Sequence, residues 1–369
     1  MRNVYLPIGP IQLFCLLFQA QFGLGILSLP HSVNAAAGSD GWIACLFGGL
    51  LNCVLLLAVW KLSAYDRSKT VFQMVRRRLG PFFGNFLILV VAIYSITVCY
   101  ETTQNWIFIS SNWAFEQTPA WVLALLLVGV SAYLTSKPLR VFARFAVVAM
   151  AFVPLFVGLI CYTLKDANLD LVLPVFSSAP AKIASSAWDS MMSFVGIEVL
   201  MVLSPCYQMP SKTVLRVAFL ANLAITAIYM LCVFSTTVIF GNEMISFIRE
   251  PLLFQFKTIS FKIIERMDLI VLTIWILFMV TTLTTYLLLF VSSMTTIAGS
   301  KSGIRLPLLI TTAVVLFMLG AWNLGVSQLT RLQDFIGRYV PMVIIGIPIV
   351  MLLMIGLSKW LSGGKEVQT

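Results

Sequence analysis

Gly23-Leu24-Gly25-Ile26-Leu27-Ser28-Leu29-Pro30 interrupts an apolar run that extends over about Ile11–Asn34. The two glycines of this stretch favour non-helical backbone, and its proline lacks the N–H group that a continuing helix needs. Inside a membrane, a broken helix is tolerated only where it contacts protein or a water-filled cavity. A half-helix that starts at such a break presents free N–H groups and a positive dipole end, which suit an anionic ligand group. The alternative is that Gly23 and Gly25 only allow neighbouring helices to pack closely.

A matching interruption lies about half the chain length further on, in the apolar run Ser186–Tyr207. There Ser193-Phe194-Val195-Gly196-Ile197-Glu198 is followed by Ser204-Pro205. Paired interruptions at corresponding positions of two halves are the best sequence indicator of a transporter-type site near the membrane midplane. The pair therefore favours a ligand site between the first and sixth spans over simple helix packing.

The rest of the chain supplies enough apolar sequence for ten membrane spans. Of its 369 residues, 60% are hydrophobic and only 10% are charged, whereas soluble domains carry about 45–50% and about 25%. This composition excludes a nucleic-acid-binding protein, a secreted disulfide scaffold and an ordinary cytosolic enzyme. Because one spanning helix needs about 20 apolar residues, we expect an all-α polytopic membrane protein with ten transmembrane helices. The runs lie at about Ile11–Asn34, Trp42–Tyr65, Phe83–Ser110, Trp121–Thr135, Val141–Leu164, Ser186–Tyr207, Val214–Phe240, Leu269–Thr296, Leu306–Leu324 and Val340–Trp360.

The distribution of charge predicts the topology. If the N-terminus is cytoplasmic, the segments on the same side hold 16 of the 24 Lys and Arg residues and only two acids, Asp66 and Glu366. Lys and Arg concentrate in the cytoplasmic loops of membrane proteins. We therefore expect both termini to be cytoplasmic. The net charge of +10 is attributed to this topology rather than to an anionic partner such as a nucleic acid.

Two segments between the runs mix charged and apolar residues. Lys61–Leu79 is basic, and we expect it to lie along the inner face of the membrane. Gly241–Met267 is expected on the outside. It is either a short amphipathic helix pair that covers a vestibule or a surface loop without a gating role, and both roles stay open.

Two acidic residues are predicted to lie inside the membrane. Glu198 is near the bilayer centre, where a charge costs at least about 2.5 kcal/mol and usually marks a ligand, proton or ion pathway. Its alternative is a structural hydrogen bond to a neighbouring helix. Glu101 lies nearer the outer surface, so a ligand role and a partly solvated role are equally compatible with its position. Tyr94 and Tyr100 are weaker candidates, because aromatic side chains commonly pack between helices.

No metal site, cofactor or catalytic motif is predicted. His31 is the only histidine, and the seven cysteines lie in apolar runs without metal-ligand spacing. The cluster Thr281, Thr282, Thr284 and Thr285 has hydroxyls that suit sodium. Bonding of such hydroxyls to a carbonyl one turn back is the commoner outcome.

Three motifs carry a resemblance to a known family: Gly23-x-Gly25-Ile26-Leu27-x-Leu29-Pro30, Asp40-Gly41-Trp42 and Gly196-x-Glu198. With the ten-span layout, they resemble the B subunits of GerA-type spore germinant receptors. These are endospore germination permeases of the amino acid–polyamine–organocation superfamily, and the resemblance covers essentially the whole chain. It implies a LeuT-like fold within a single domain, 1–369. The implied fold consists of two inverted five-helix repeats, about 9–165 and about 186–361. The first helix of each repeat, which is the first or the sixth span of the chain, is broken.

The resemblance also implies a ligand position. The carboxylate of an amino acid would meet the backbone around Gly23–Ile26, and its amine would meet the carbonyl groups around Phe194–Gly196. Together with the residues singled out above, the candidate ligand-binding set is Gly23, Leu24, Gly25, Ile26, Tyr94, Tyr100, Glu101, Phe194, Val195, Gly196 and Glu198.

Two functions remain in competition. The resemblance implies a nutrient receptor subunit in the inner membrane of spores, which works with A and C subunits and binds a small amino acid or similar ligand. The alternative is a secondary transporter that couples amino-acid uptake to protons or sodium. The fifth span has no lysine in its core, which departs from proton-coupled relatives and places coupled transport in doubt.

Overall fold

The apolar runs fold into α-helices. The computed structural model describes residues 7–262, 264–299, 303–322 and 324–361, with side chains up to residue 357. The helices are α1 (Pro10–Phe22), α2 (Leu29–Ala37), α3 (Gly41–Tyr65), α4 (Val71–Trp113), α5 (Ala120–Ser136), α6 (Leu139–Met150), α7 (Val153–Thr163), α8 (Pro180–Ser190), α9 (Leu200–Leu203), α10 (Ser211–Phe247), α11 (Pro251–Lys257), α12 (Met267–Ile297), α13 (Arg305–Ala321) and α14 (Val326–Leu361).

Six helical segments in the described ranges are long and apolar enough to cross a membrane: Leu29–Tyr65, Val71–Trp113, Leu139–Asp166, Ser211–Phe247, Met267–Ile297 and Val326–Leu357. Pro10–Phe22, Ala120–Ser136, Ile197–Cys206 and Arg305–Ala321 are shorter apolar helices. The chain is therefore a multi-pass membrane protein. The count of ten spans stays a prediction.

The last helix begins earlier than the hydropathy of the sequence predicts. The tenth apolar run starts at about Val340, but α14 starts at Val326. Its first turns carry exposed polar residues such as Arg331 and Asp334, which lower the local hydropathy, while Leu329 and Ile336 are buried. Burial of one helical face is enough to sustain the helix.

Both predicted interruptions are present in the backbone. Helix α1 ends at Phe22 and α2 begins at Leu29. Pro30 is in the first turn of α2, where the missing N–H group costs no helical bond. In the sixth run, α8 ends at Ser190. Helical structure resumes with a 3-10 turn at Ile197–Val199, and α-helix follows from Leu200.

Two further glycines bend long helices near their ends. Gly80 in α4 has φ +77° and Gly241 in α10 has φ +68°, a conformation that glycine adopts without steric cost. The kink at Gly241 separates a short terminal turn from the body of α10, and α11 follows it. The described residues of Gly241–Met267, which the charge pattern predicts to lie outside and which we name the outer segment, thus contain two short helical pieces, as one of the two sequence interpretations expects.

Helices from the early part of the chain pack against helices from its later part. Helix α1 contacts the 3-10 turn Ile197–Val199, and α3, α4 and α5 contact α10, α12 and α13 respectively. The core of the molecule lies between these pairs. The two interruptions are consequently held in the middle of the bundle.

The predicted cytoplasmic segments meet at one end of the bundle. The N–H group of Ile8 donates to the Cys206 carbonyl at 3.1 Å, and the Ser204 hydroxyl donates to the Lys69 carbonyl at 2.8 Å. At the opposite end, the Asn34 amide donates to the Asn242 carbonyl at 3.1 Å. These contacts group the segments as the charge pattern does, and the side of the membrane that each end faces stays a prediction.

Asp40 holds the loop between α7 and α8 against the start of α3. This buried carboxylate accepts from the N–H groups of Phe176 and Ser178, both at 2.8 Å, and from the Ser177 hydroxyl at 3.3 Å. The side chain ties the start of α3 to the loop before α8. The Asp40-Gly41-Trp42 motif thus has a structural basis.

We expect Asp40→Ala to lower the thermal midpoint of the purified protein in detergent. The variant leaves two backbone N–H groups without an acceptor, at about 1–3 kcal/mol for each group that stays buried. Asp40→Asn keeps one acceptor oxygen, so its thermal midpoint is expected to fall between those of the unmodified protein and Asp40→Ala. Asp170→Ala, which removes an exposed carboxylate from the same loop, is the matched control. Equal midpoints for the Asp40 and Asp170 variants would contradict this role.

Candidate functional site

The two interruptions are in direct contact. A Cβ atom added at Gly25 would lie 2.2 Å from the Ser193 hydroxyl, and one added at Gly196 would lie 2.7 Å from the Ala20 carbonyl. The Tyr229 hydroxyl lies 2.6 Å from the Gln21 carbonyl oxygen and 2.8 Å from that of Ser193. It therefore bridges the end of α1 and the irregular segment after α8.

Side chains from α4 and α12 satisfy carbonyl groups that the break in the first run removes from helical bonding. The Trp275 indole N–H donates to the Gly23 carbonyl at 3.0 Å, and the Asn105 amide donates to the Leu24 carbonyl at 3.3 Å. A buried carbonyl without a donor costs free energy comparable to a lost hydrogen bond. These two donors thus stabilise the non-helical conformation of the break.

Glu198 is buried beside the second interruption, with 2% of its surface exposed. Its Oε2 accepts from the Gly196 N–H at 2.8 Å and from the Tyr286 hydroxyl at 3.4 Å, and Tyr94 donates to Tyr286 at 3.2 Å. Its Oε1 has no hydrogen-bond partner among the described residues. The carboxyl group therefore has one oxygen that supports the backbone and one that is available to another group.

Glu101 is also buried, with 6% of its surface exposed. It lies one helical turn before Asn105 on α4, and its Oε2 likewise has no partner within the described part of the chain. The side chain is therefore enclosed by the protein, and its ligand role stays a prediction. In the described ranges, neither Glu101 nor Glu198 belongs to an ion pair.

The electrostatic consequence is a site that is short of positive charge. Removing a carboxylate from water is costly unless a cation or a set of hydrogen bonds compensates it. A proton, or the ammonium group of a ligand, would supply that compensation at Glu198 and Glu101. A second anionic group would be repelled unless backbone N–H groups receive it.

The other candidates lie at different places around the breaks. Phe194 packs edge-on against Tyr229, with ring centroids 5.0 Å apart, and Leu24, Ile26 and Val195 are buried. Tyr100 is on another face of α4, where its hydroxyl accepts from the Gln104 amide at 3.3 Å. Gln104 in turn donates to carbonyl groups of the α13 region. Tyr100 is thus placed toward α13 rather than toward the interruptions.

Two of the four threonines in the cluster on α12 bond to their own helix, and the Thr284 hydroxyl has no partner among the described residues. Thr281 donates to the Phe278 carbonyl at 2.7 Å, and Thr285 donates to the Thr281 carbonyl at 2.9 Å. Longer contacts join Thr281 to the Gln19 carbonyl at 3.4 Å and Thr282 to the Ala20 carbonyl at 3.5 Å. In the part of the chain that the structure describes, no group of three His, Cys, Asp or Glu side chains could hold a metal ion.

A polar chain connects the outer segment to the first break. Arg249 donates to Gln333 Oε1 at 2.6 Å, and the Gln333 amide donates to Asn105 Oδ1 at 3.4 Å. Asn105 then reaches the Leu24 carbonyl. On the other side, the His31 Nδ1 atom on α2 donates to the Ile245 carbonyl at 3.1 Å. The outer segment is therefore bonded to structure on both sides of the first break.

Sequence reasoning missed several of these residues. Trp275, Tyr229 and Tyr286 occur in apolar spans, where an aromatic residue carries no distinguishing pattern. Gln333 is part of the stretch before the tenth apolar run, so it is not expected in a helix at all. Only its position on α14, opposite Arg249, reveals its contact.

Comparison with known proteins identifies relatives over most of the chain. A family described as "Spore germination protein" matches residues 7–323. Spore germination protein A2 of Bacillus subtilis (strain 168) is 20% identical over 365 residues, which cover 97% of this chain and 98% of that protein. Spore germination protein GerQB of Bacillus cereus is 23% identical over 271 residues, which cover 73% and 75%. YndE, a further spore germination protein of B. subtilis (strain 168), is 20% identical over 346 residues, 93% of each chain.

We expect alanine at the contact glycines to destabilise the protein in a graded way. Gly196→Ala is expected to have the largest effect, because φ is +143° and the added Cβ meets the backbone of Ala20. Gly25→Ala is expected to be milder, since its nearest obstacle is the Ser193 side chain. Gly129→Ala, where nothing lies within 4 Å, is the neutral control.

The contact between the breaks is tested by adding Ser193→Gly to Gly25→Ala. Removal of the Ser193 side chain should restore part of the thermal midpoint that Gly25→Ala alone loses. Strictly additive losses in the double variant, measured in the same detergent, would show that the two breaks do not touch at this point.

Proposed function

Because the chain belongs to the spore germination protein family, we propose that it is the membrane-embedded, ligand-binding subunit of a nutrient germinant receptor. It binds a small amino acid or similar nutrient between the interruptions of the first and sixth spans. It signals together with A and C subunits in the inner membrane of spores, with both termini cytoplasmic. The proposed ligand and the proposed partners are both inferred from the resemblance of the three sequence motifs to germinant receptor B subunits.

The observation that carries the proposal is the contact between two interrupted helices beside a buried, half-partnered carboxyl group. The ligand's ammonium group lies near the carbonyl groups of Phe194–Gly196 and near Glu198 Oε1, which has no partner among the described residues. Its carboxylate lies at the backbone around Gly23–Ile26, close to the positive end of α2. Tyr94, Tyr286 and Glu101 form the remaining wall.

The proposed fold is LeuT-like, with five helices in each of two inverted repeats. Its support is the pairing of α3 with α10, of α4 with α12 and of α5 with α13, each between equivalent positions of the two halves. The proposed orientation is supported by the meeting of the basic loops at one end. Cysteine-accessibility labelling in intact cells tests this orientation. Labelling of Lys69→Cys from outside the cell would overturn it.

The proposed signal is a shift between conformations that differ in the position of α2. A ligand can shift such an equilibrium only by as much as its affinities for the two states differ. A ligand held between the breaks contacts backbone on both sides of the first one. Since α2 is bonded to the outer segment through His31 and Asn34, a movement of α2 would also displace that segment.

The direct test is binding of each of the twenty amino acids to the purified protein, with and without sodium. Saturable binding of one or a few amino acids supports the receptor and the transporter equally. Uptake of the bound amino acid into proteoliposomes under a proton or sodium gradient favours the coupled transporter. Binding without uptake, together with loss of the germination response in spores that lack the gene, favours the receptor subunit.

Substitution of Glu198 separates its charge from its shape. Glu198→Gln keeps an oxygen acceptor for the Gly196 N–H, so we expect a near-normal thermal midpoint but a loss of about tenfold or more in affinity for an amino-acid ligand, a loss of about 1.4 kcal/mol. Glu198→Ala is expected to lose both binding and stability. Glu116→Gln, at an exposed external position, is the matched control.

Binding curves measured by isothermal titration decide between the two roles of this side chain. If Glu198→Gln binds like the unmodified protein and Glu198→Ala does not, the carboxyl group acts only as a structural acceptor. If both variants bind normally at matched protein amounts, Glu198 has no part in recognition.

A further inference from the structure

A cavity of about 330 Å³ with two arginines in its lining is formed at the basic end of the bundle, away from the two interruptions. It is lined by Gln73, Arg76, Arg77, Pro81, Thr296 and Gly299. The first four belong to the kinked start of α4, and the last two lie at the end of α12. The cavity is therefore formed between the start of α4 and the end of α12.

Two guanidinium groups face this cavity. Arg76 Nη1 donates to the Thr296 carbonyl, which places this guanidinium at the end of α12. Arg77 is exposed and acts electrostatically on Asp66, the one acid between Lys61 and Leu79. Burial acts to raise the pKa of Asp66, but hydrogen bonds from Ser68 and the charges of Lys69 and Arg77 leave that pKa below its usual range.

The surface next to the cavity is apolar and aromatic. Phe82, Phe83 and Phe86 follow Pro81, and their exposed fractions are 79%, 56% and 61%. In a multi-pass membrane protein, exposed phenyl rings on a spanning helix face lipid. An occupant of the cavity would thus have cationic groups on one side and the hydrocarbon region directly on the other.

We propose that this cavity binds the phosphate headgroup of an anionic phospholipid. Arg76 and Arg77 hold the phosphodiester by charge-assisted hydrogen bonds, and the acyl chains lie along Phe82, Phe83 and Phe86. Arginine suits this role because its planar N–H groups match phosphate oxygens in pairs. Basic pockets between spanning helices at the cytoplasmic side are a recurrent form of lipid headgroup site. A soluble anion would use the arginines alone and gain nothing from the adjacent phenyl rings.

The proposal depends on the chain being a membrane protein and not on its ligand or signalling role. A bound lipid here would brace the kink at Gly80 against the end of α12. The amphipathic stretch before Gly80 would then be held at the membrane surface.

The test is native mass spectrometry of the full-length protein with phosphatidylglycerol or phosphatidylcholine added in detergent. We expect preferential retention of phosphatidylglycerol. Arg77→Gln should lower that preference about fivefold, which corresponds to about 1 kcal/mol for one basic residue at a lipid surface. Arg216→Gln, at an exposed position of the same end of the bundle, should leave it unchanged.

Three results would overturn the proposal. Equal retention of the two lipids shows that the cavity does not select an anionic headgroup, which contradicts the proposal. An equal loss of preference in Arg77→Gln and Arg216→Gln shows a general effect of surface charge. Competition by inorganic phosphate or glycerol 3-phosphate, at concentrations that match the lipid, shows a site for soluble anions. Because Arg77 is exposed, its variant is expected to fold, and the thermal midpoint without lipid checks this.

Discussion

The absence of water in the membrane interior is the constraint on which the rest of this structure depends. Every N–H and C=O group that leaves helical bonding there must find a partner within the protein. The first break meets this demand through Trp275 and Asn105, and Tyr229 serves both breaks at once. Irregular backbone in the middle of the bundle is therefore possible only because three other helices supply donors to it.

The same constraint explains why the two breaks lie against each other. Gly25 and Gly196 lack side chains where the opposite segment approaches, and a Cβ at either position would collide with it. Close backbone approach and helix interruption are thus two results of the same glycines. The packing alternative and the site alternative that the sequence poses are not exclusive in this fold.

The acidic residues give the site its chemical character. Glu198 and Glu101 are buried, and within the described residues they lack a cationic partner. Such carboxyl groups are compensated by a proton or by a cationic group of a bound molecule. The chain that carries these buried carboxyl groups belongs to the spore germination protein family. The polar chain from Arg249 through Gln333 to Asn105 further joins the outer segment to the first break by hydrogen bonds.

The sequence by itself determined the membrane character, the helical class and the two interruptions. These features depend on composition and on local backbone chemistry, which neighbouring residues along the chain control. It also indicated Glu198, because an acid in an apolar run is conspicuous. Only the tertiary structure decided that Tyr100 is placed toward α13, that Glu101 is buried, and that Trp275, Tyr229 and Gln333 contact the region of the breaks. Those assignments depend on which faces of distant helices meet, and an aromatic or amide residue in a span has the same local pattern whichever way it faces.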